Sequence, residues 1–546
     1  MPTSEPPRPG SPLIGRRAFL SGVVATALAA GCGRDGGGGG DDATAPAGGA
    51  TGAPPETAAS LPPVPPSLPG EVFALGVASG DPQPDSVVLW TRLVSDPLAA
   101  DGGVPDQPLP VRWEVAADES FADVVASGDT VAEPVLGHSV HIDASGLEPG
   151  AGYWYRFAIG DRTSPVGRTR TAPAPGDGDE RLRFAVASCQ SFQDGYWPAH
   201  EHLAREDVDL VLFLGDYIYE DPPDRGAVRT YETPAPTDLA GYRRRYGEYK
   251  RDPALLAAHA AGPWVCTWDD HEVVTNYAGL AAAGQGRDEF AERRAAAYQA
   301  WYEHMPVRTG PPGADGGLTL HRTLRWGDLV RFHVLDGRQH RSRQVCGRTR
   351  DVGRSCDDVA DERRSMLGDD QEAWLADALG GSDAVWDVVA QQTVVTRLVL
   401  PVGDTEVLNL DQWDGYPAAR RRLVDAMREV DNPVVLSGDL HAGCVAVVTD
   451  DPDDPSSRAR VPEVVSPSIS SPFPASVAGL AGAAAGALPN VRYVEAARRG
   501  YAVCEVTARA LTASFRYVDG VGEPEAGIAT LARWRVTAGD PDPRPV

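Results

Sequence analysis

Carboxylates, imidazoles, a phenol and a thiol recur in this sequence directly after short apolar runs. Asp216 and Tyr219 lie three apart within GDYIYE (Gly215 to Glu220). Asp269, Asp270, His271 and Asn276 belong to WDDHEVVTN, Asp439 and His441 to SGDLHAG, and Cys189 follows Ala187-Ser188. Carboxylate and amide oxygens with imidazole nitrogens suit hard or borderline divalent and trivalent cations. A phenolate such as Tyr219, or a thiolate such as Cys189, favours a ferric ion because it donates charge to a strong Lewis acid. Adjacent cations of this kind serve phosphate-ester hydrolysis, which needs a nucleophile, neutralised non-bridging oxygens and a stabilised leaving alkoxide. Covalent catalysis is the competing chemistry. No GxSxG elbow is visible, and Cys189 as a nucleophile would leave the neighbouring acids unexplained.

These residues need elements that bring them together. Apolar strands are expected over Leu182–Ser188 before Cys189, Val208–Leu214 before Asp216 and Trp264–Trp268 before Asp269. Three more run over Val330–Leu335 before Asp336, Val388–Ala390 before Gln391-Gln392, and Val434–Leu436 before Asp439. Helical stretches lie between them, among them Arg287–His304 and Pro417–Val430. In layered α/β proteins ligand groups gather at strand C-termini, so six such strand ends predict one site. Upstream, Val87–Trp90, Val111–Val115 and Tyr153–Phe157 are short β-branched and aromatic runs between Gly/Pro/Asp turns. The expected fold is therefore α/β: an N-terminal β-sandwich over 71–175, then a layered α/β domain over 180–546 with metal ligands at strand C-termini.

The chain has 546 residues and a formal net charge of −27. Such a surface repels nucleic acid, so no nucleic-acid-binding surface is expected, and an anionic substrate must be drawn by bound cations. Arg16-Arg17 before the mildly apolar Ala18–Ala30 has the twin-arginine pattern, which predicts a signal peptide over 1–31 and the twin-arginine translocase as a partner during export. Its removal takes away Arg8, Arg16, Arg17 and Glu5, a net +2, leaving −29. Leu28-Ala29-Ala30-Gly31-Cys32 resembles a lipobox, so the mature chain is either lipid-anchored at Cys32 or simply cleaved and secreted. Residues 32–70 are Gly-, Ala- and Pro-rich and read as a disordered tether. The expected location is extracellular, cell-surface or periplasmic. Cys346 and Cys356, ten apart in a polar loop, suit a local disulfide there, whereas Cys266, Cys444 and Cys504 read as packing residues.

The order Cys…GDxxY…DDHE…GDxH resembles the calcineurin-like metallophosphoesterases. The longer words FALGVASGDPQPDSVVLWTRL, ASCQSFQDGYWPAH, FLGDYIYED, TWDDHEVV, MLGDDQEAWL, WDGYPAARRRL and LSGDLHAG are similar to the PhoD family of alkaline phosphatases. They run in order from about 73 to 445, and the stretch from 446 to 546 fits only loosely. The resemblance implies a phosphomonoesterase or phosphodiesterase with one ferric ion and one or two calcium ions, attacking through a metal-bound hydroxide or oxo group at alkaline pH. Small phosphate esters would be its substrates. By the same resemblance Cys189, Asp216, Tyr219 and His441 would hold iron, and Asp216 would bridge to calcium. Asp439 would lie nearby, with Asn276 or Asp270 completing the calcium sites. The family often has two asparagines after DDHEV where this chain has Thr275-Asn276, which leaves Asp270 and Asn276 as alternatives. Arg294 and Arg338 are candidates for holding substrate phosphate, or else a solvated helix face and an ion pair with Asp336. His271 would stabilise an oxyanion or protonate the leaving group, or else cap or support the loop. Two other readings are a phospholipase-D-type phosphodiesterase, for which Val477–Leu488 is a weak membrane-contact loop, and a non-catalytic surface lipoprotein that binds phosphate or metal. Manganese or zinc would also accept the oxygen ligands.

Overall fold

The computed structural model describes residues 61–546, except 178–180, 347–351, 354, 403–404, 452, 455 and 474–487. The signal segment, Cys32 and nearly all of the tether and of Val477–Leu488 lie outside the described residues.

Alternation along the expected strands decides the layering, because successive side chains leave a strand on opposite faces. Phe184, Val186, Leu212, Leu214 and Val265 point one way and meet Phe332, Val334, Val388 and Leu436 from a second sheet. Ala185, Val211, Phe213, Trp264 and Cys266 point the other way, against helices that contribute Tyr242, Tyr246, Leu255, Tyr298 and Trp301. Behind the second sheet, Val389 and Val435 pack on Leu375, Leu379, Leu423 and Val424 from the helices Asp369–Gly380 and Pro417–Ala426. The result is helix, sheet, sheet, helix.

The first sheet has ten strands and the second seven. Leu182–Ala187, Leu210–Leu214 and Pro263–Thr267 run parallel side by side in the first. Val330–Val334, Trp386–Ala390 and Pro433–Ser437 do so in the second. All six expected strands are thus present within one or two residues of their predicted ends. The helix Arg287–His304 falls where its pattern placed it. The helix expected to reach Val430 ends at Ala426, and Met427–Glu429 tightens into a 3-10 turn.

In the N-terminal region Leu109–Ala116, Val124–Ala132, Gly152–Ile159, Arg162–Thr163 and Gly167–Arg170 form a separate five-stranded sheet. It packs on Ser86–Arg92 and Ser139–Ser145 around Val87, Leu89, Val111, Tyr155 and Phe157. Val77–Gly80 then pairs in parallel with Pro263–Thr267, so this part of the chain continues the first sheet. The chain from Gly500 onward does likewise at the opposite edge. Gly500–Thr507 pairs antiparallel with Leu182–Ala187, and three further antiparallel strands extend the sheet to Pro545.

Cys346 and Cys356 form the disulfide their spacing predicted. Cys266, Cys444 and Cys504 are free and buried in apolar clusters, as packing residues would be.

Three buried histidines set a pH limit on this fold. His304 accepts a hydrogen bond from Arg92 Nη1 at 2.7 Å through Nε2 and donates to the Ala300 carbonyl through Nδ1, a pattern only the neutral ring can make. Burial, then nearby Arg92, pushes its pKa well down. Burial, then Lys250, does the same to His259, and burial with Arg229 brings His200 to about 3. Depressed histidine values mean the unfolded chain binds more protons than the folded one below pH ~6.5, so stability is full above that pH and falls below it. Each histidine is expected to remove about 2 kcal/mol by pH 5. Denaturant titrations at pH 8 and pH 5 check this; an unchanged midpoint would contradict it.

Candidate metal centre

The C-terminal ends of the parallel strands converge, and the chain leaves three of them, those before Cys189, Asp216 and Asp439, through left-handed backbone. Among the described residues nine non-glycine positions have positive φ, and five are Cys189 (58°), Asp216 (57°), Asn276 (53°), Asp439 (57°) and His441 (57°). Left-handed backbone is uncommon outside glycine and costs of order 1–3 kcal/mol per residue, so its clustering marks a place where side-chain aim outranks local comfort. Here the turns fold the donor atoms inward.

Among the described residues, three groups of donors have ligand atoms within 4.8 Å of one another: Cys189, Asp216 and His441; Asp216, Asp270 and His271; Asp216, Asp269, Asp270 and Asp439. Asp216, 1% exposed, belongs to all three. Tyr219 joins the first group, its hydroxyl 3.0 Å from Asp216 Oδ2 and 3.3 Å from His441 Nε2. Asp270 Oδ2 accepts from the Asn276 backbone amide at 2.6 Å, so the two residues left as alternatives share one loop.

Electrostatics identify what this constellation suits. Burial, then Asp270, pushes the Asp439 carboxyl up to about 7. Asp269 and Asp270 are raised by burial and by their acidic neighbours, against the pull of Arg338. Burial would raise Asp216 too, but His271 and His441 hold it below the usual carboxylate range. Burial raises the Cys189 thiol and the Tyr219 phenol, and Asp216 adds to both. Asp269 Oδ2 is buried without a hydrogen-bond partner. Crowded buried acids of this kind are stable as a set when cations lie among them. The donors, oxygen with one imidazole and one thiol on the Cys189 side and mainly carboxylate on the Asp439 side, fit a mixed pair of metals.

The remaining expected residues fall in distinct places. His271 stacks on Tyr219 with ring centroids 4.1 Å apart and engages Glu220 Oε2 at 2.7 Å through Nδ1. Glu220, Asp270 and Asp216 raise its pKa well above the ordinary imidazole value against the effect of burial. Arg338 is completely buried. Its guanidinium pairs with Asp269, with Asp270 at 3.2 Å and with Asp411 at 2.9 Å, while Asp336 receives only its backbone N–H. That position supports the carboxylates of the centre. Arg294 is half-buried, and its Nη1 donates to the Gly279 and Gln339 carbonyls at 2.9 and 3.4 Å.

Several supporting residues, Glu220 and Glu272 within the motif words among them, carry no sign of their partners in the sequence. Glu220 receives the Thr275 amide and hydroxyl as well as His271, fixing the loop that carries Asp270 and Asn276. Glu272 accepts the backbone N–H groups of Asp216, Tyr217 and Asp269 at 3.1, 2.6 and 2.8 Å, tying two strand ends together. Gln412 donates to Asp439 Oδ2 at 3.0 Å. Gln344 bridges the Asn276 carbonyl and Asp411 Oδ1 at 2.8 and 2.7 Å.

Comparison with known proteins gives a consistent result. Residues 184–515 match the family profile described as PhoD-like phosphatase, and residues 58–173 match PhoD-like phosphatase, N-terminal domain. Alkaline phosphatase D of Bacillus subtilis (strain 168) is 44% identical over 479 residues, spanning 84% of this chain and 80% of that protein. A solved structure described as the structure of PhoD superposes with a TM-score of 0.83 at 41% identity, covering 88% of this chain and 93% of that one.

Proposed function

Since this chain belongs to the PhoD-like phosphatase family and is a phosphoric ester hydrolase, we propose that it is an exported, metal-dependent enzyme acting on phosphate monoesters and diesters at alkaline pH. The observation that carries the metal dependence is the Asp216 carboxylate, common to all three donor groups. Cys189, Asp216, Tyr219 and His441 would hold ferric iron; Asp216, Asp439 and Asp270 or Asn276 would hold calcium. These cations would supply Lewis acidity toward the phosphoryl oxygens and a water of lowered pKa.

The chain's own residues do the rest. With Nδ1 engaged by Glu220, the Nε2 of His271 is the ring nitrogen left to meet a substrate oxygen. Glu220, which lies outside the three donor groups, favours the protonated form of the ring, so His271 suits delivery of a proton to the leaving alkoxide. Arg338 and Glu272 hold the acids and backbone amides of the centre in place without touching substrate. Export is supported by Arg16-Arg17 and by the Cys346–Cys356 disulfide, which suits an oxidising compartment. A lipid anchor at Cys32 remains one of two outcomes of processing. Family membership sets aside the non-catalytic lipoprotein.

Purified protein is expected to release nitrophenol from both p-nitrophenyl phosphate and its bis ester. Exhaustive chelation should lower turnover at least about 100-fold, and iron with calcium should restore it. Full activity after removal of bound metal would refute the proposal. Cleavage of vesicle phospholipid headgroups in preference to soluble diesters would favour the phospholipase-D-type reading.

A further inference from the structure

The C-terminal hundred residues carry a short Ser/Pro segment, Ser466-Pro467-Ser468-Ile469-Ser470-Ser471-Pro472, which leaves the strand Ala459–Val465 and runs beneath the donor loops. Ser468 pairs with Ser188, and the Ile469 amide donates to the Ser188 carbonyl at 3.0 Å. The next two amides, of Ser470 and Ser471, reach the Cys189 carbonyl at 3.3 and 3.2 Å. Ser471 Oγ lies 2.9 Å from the same carbonyl and 2.7 Å from the Tyr219 hydroxyl. Pro472 offers its carbonyl to His441 Nδ1 at 2.9 Å.

Three consecutive residues therefore touch three of the four donors on the Cys189 side, each by a different route. The Cys189 turn is held through its backbone, which keeps a positive φ, and the His441 ring is oriented through the nitrogen that does not face the centre. An imidazole whose Nδ1–H is fixed in this way presents Nε2 as the ligand atom. Tyr219 is held at the oxygen itself, which lies within hydrogen-bond reach of Asp216, His441 and Ser471. We propose that the Ser470–Pro472 turn sets the geometry of the Cys189–Asp216–Tyr219–His441 group, and that Ser471 is the positioning residue that fixes the Tyr219 oxygen. This inference rests on the reading of these residues as a metal centre.

The hydroxyl of Ser471 has one proton and two acceptors in reach. Once Tyr219 is an ionised ligand, that proton serves the phenolate, because a charge-assisted bond is about twice as strong as a neutral one. The Cys189 carbonyl keeps its two backbone donors. A hydrogen bond to a phenolate oxygen lowers the energy of the lone pair that gives a ferric tyrosinate its colour. Ser470 provides the control, since its hydroxyl turns away to the Ser191 carbonyl and the Trp197 indole.

The test compares metal-loaded wild type, Ser471→Ala, Ser471→Thr and Ser470→Ala by visible spectrum and by the rate at which a chelator removes metal. Ser471→Ala should move the tyrosinate-to-iron band to longer wavelength and release metal roughly 10- to 100-fold faster. Ser471→Thr should restore both, and Ser470→Ala should leave both unchanged. A Ser471→Ala protein with the wild-type band and release rate would overturn the proposal, as would a Ser470→Ala protein displaced equally. A colourless wild type would refute the iron assignment instead, and the release rates of whatever metal is bound would still decide the role of Ser471.

Discussion

Asp216→Asn is expected to lower kcat/KM for p-nitrophenyl phosphate by about 10²- to 10⁴-fold, the equivalent of the roughly 3–5 kcal/mol lost when one partner of a buried charge pair is removed. Asn is the informative replacement because it tolerates the left-handed backbone that Asp216 occupies at φ 57°. It therefore tests the charge and not the turn. The carboxylate is 1% exposed and lies at the junction of the three donor groups, so no neighbour can take over its place. In the metal-free protein the same substitution removes a charge that His271 and His441 favour in the folded state, so thermal stability at neutral pH should fall modestly. Steady-state kinetics with metal-free melting curves check both halves. A variant within tenfold of wild type would show that Asp216 does not join the two sides of the centre.

Arg338→Met should destabilise the protein by about 3–5 kcal/mol, because it strands Asp269 and Asp270 as buried carboxylates without their guanidinium partner and leaves Asp411 with Arg341 alone. Arg338 and then Arg341 hold Asp411 well below the usual carboxylate range against its burial. The folded state should therefore suffer most above pH ~5 and recover in part when calcium is added. Arg338→Lys should not rescue it, since a single ammonium cannot reproduce a planar fork with three acceptors. Denaturant midpoints with and without calcium measure the effect. A wild-type midpoint for Arg338→Met would contradict the support role given to this residue.

The strand ends that carry the candidate donors were legible because nearly every side chain on the strands is buried, Arg183 and Arg331 being partly exposed. Leu210–Leu214 and Pro263–Thr267, for example, are buried at every position. What the sequence did not disclose is the partner of each donor. Nothing local marks Glu220 as the anchor of His271, 51 residues on, or Asp411 as a partner of Arg338, 73 residues away. Arg338 illustrates the difference: Asp336 was the near neighbour in sequence, but that carboxylate caps backbone amides, and the guanidinium crosses to another strand end. Ser471 lies 252 residues from Tyr219, in the stretch where the family words had ended. The pairing of Val77–Gly80 with Pro263–Thr267 was likewise beyond reach, because register between distant strands has no local signature.

The most direct test of the account is metal content per chain in wild type, Cys189→Ser and Asp439→Asn, measured by elemental analysis of protein from a host that exports folded chains. Wild type should carry about one iron with calcium, the thiol requiring a metal that accepts sulfur and the carboxylate-rich side a hard cation. Cys189→Ser should lose iron and keep calcium, and Asp439→Asn should lose calcium and keep iron. Zinc or manganese in wild type, or loss of both metals in equal measure from either variant, would contradict a mixed centre divided between these two groups of side chains.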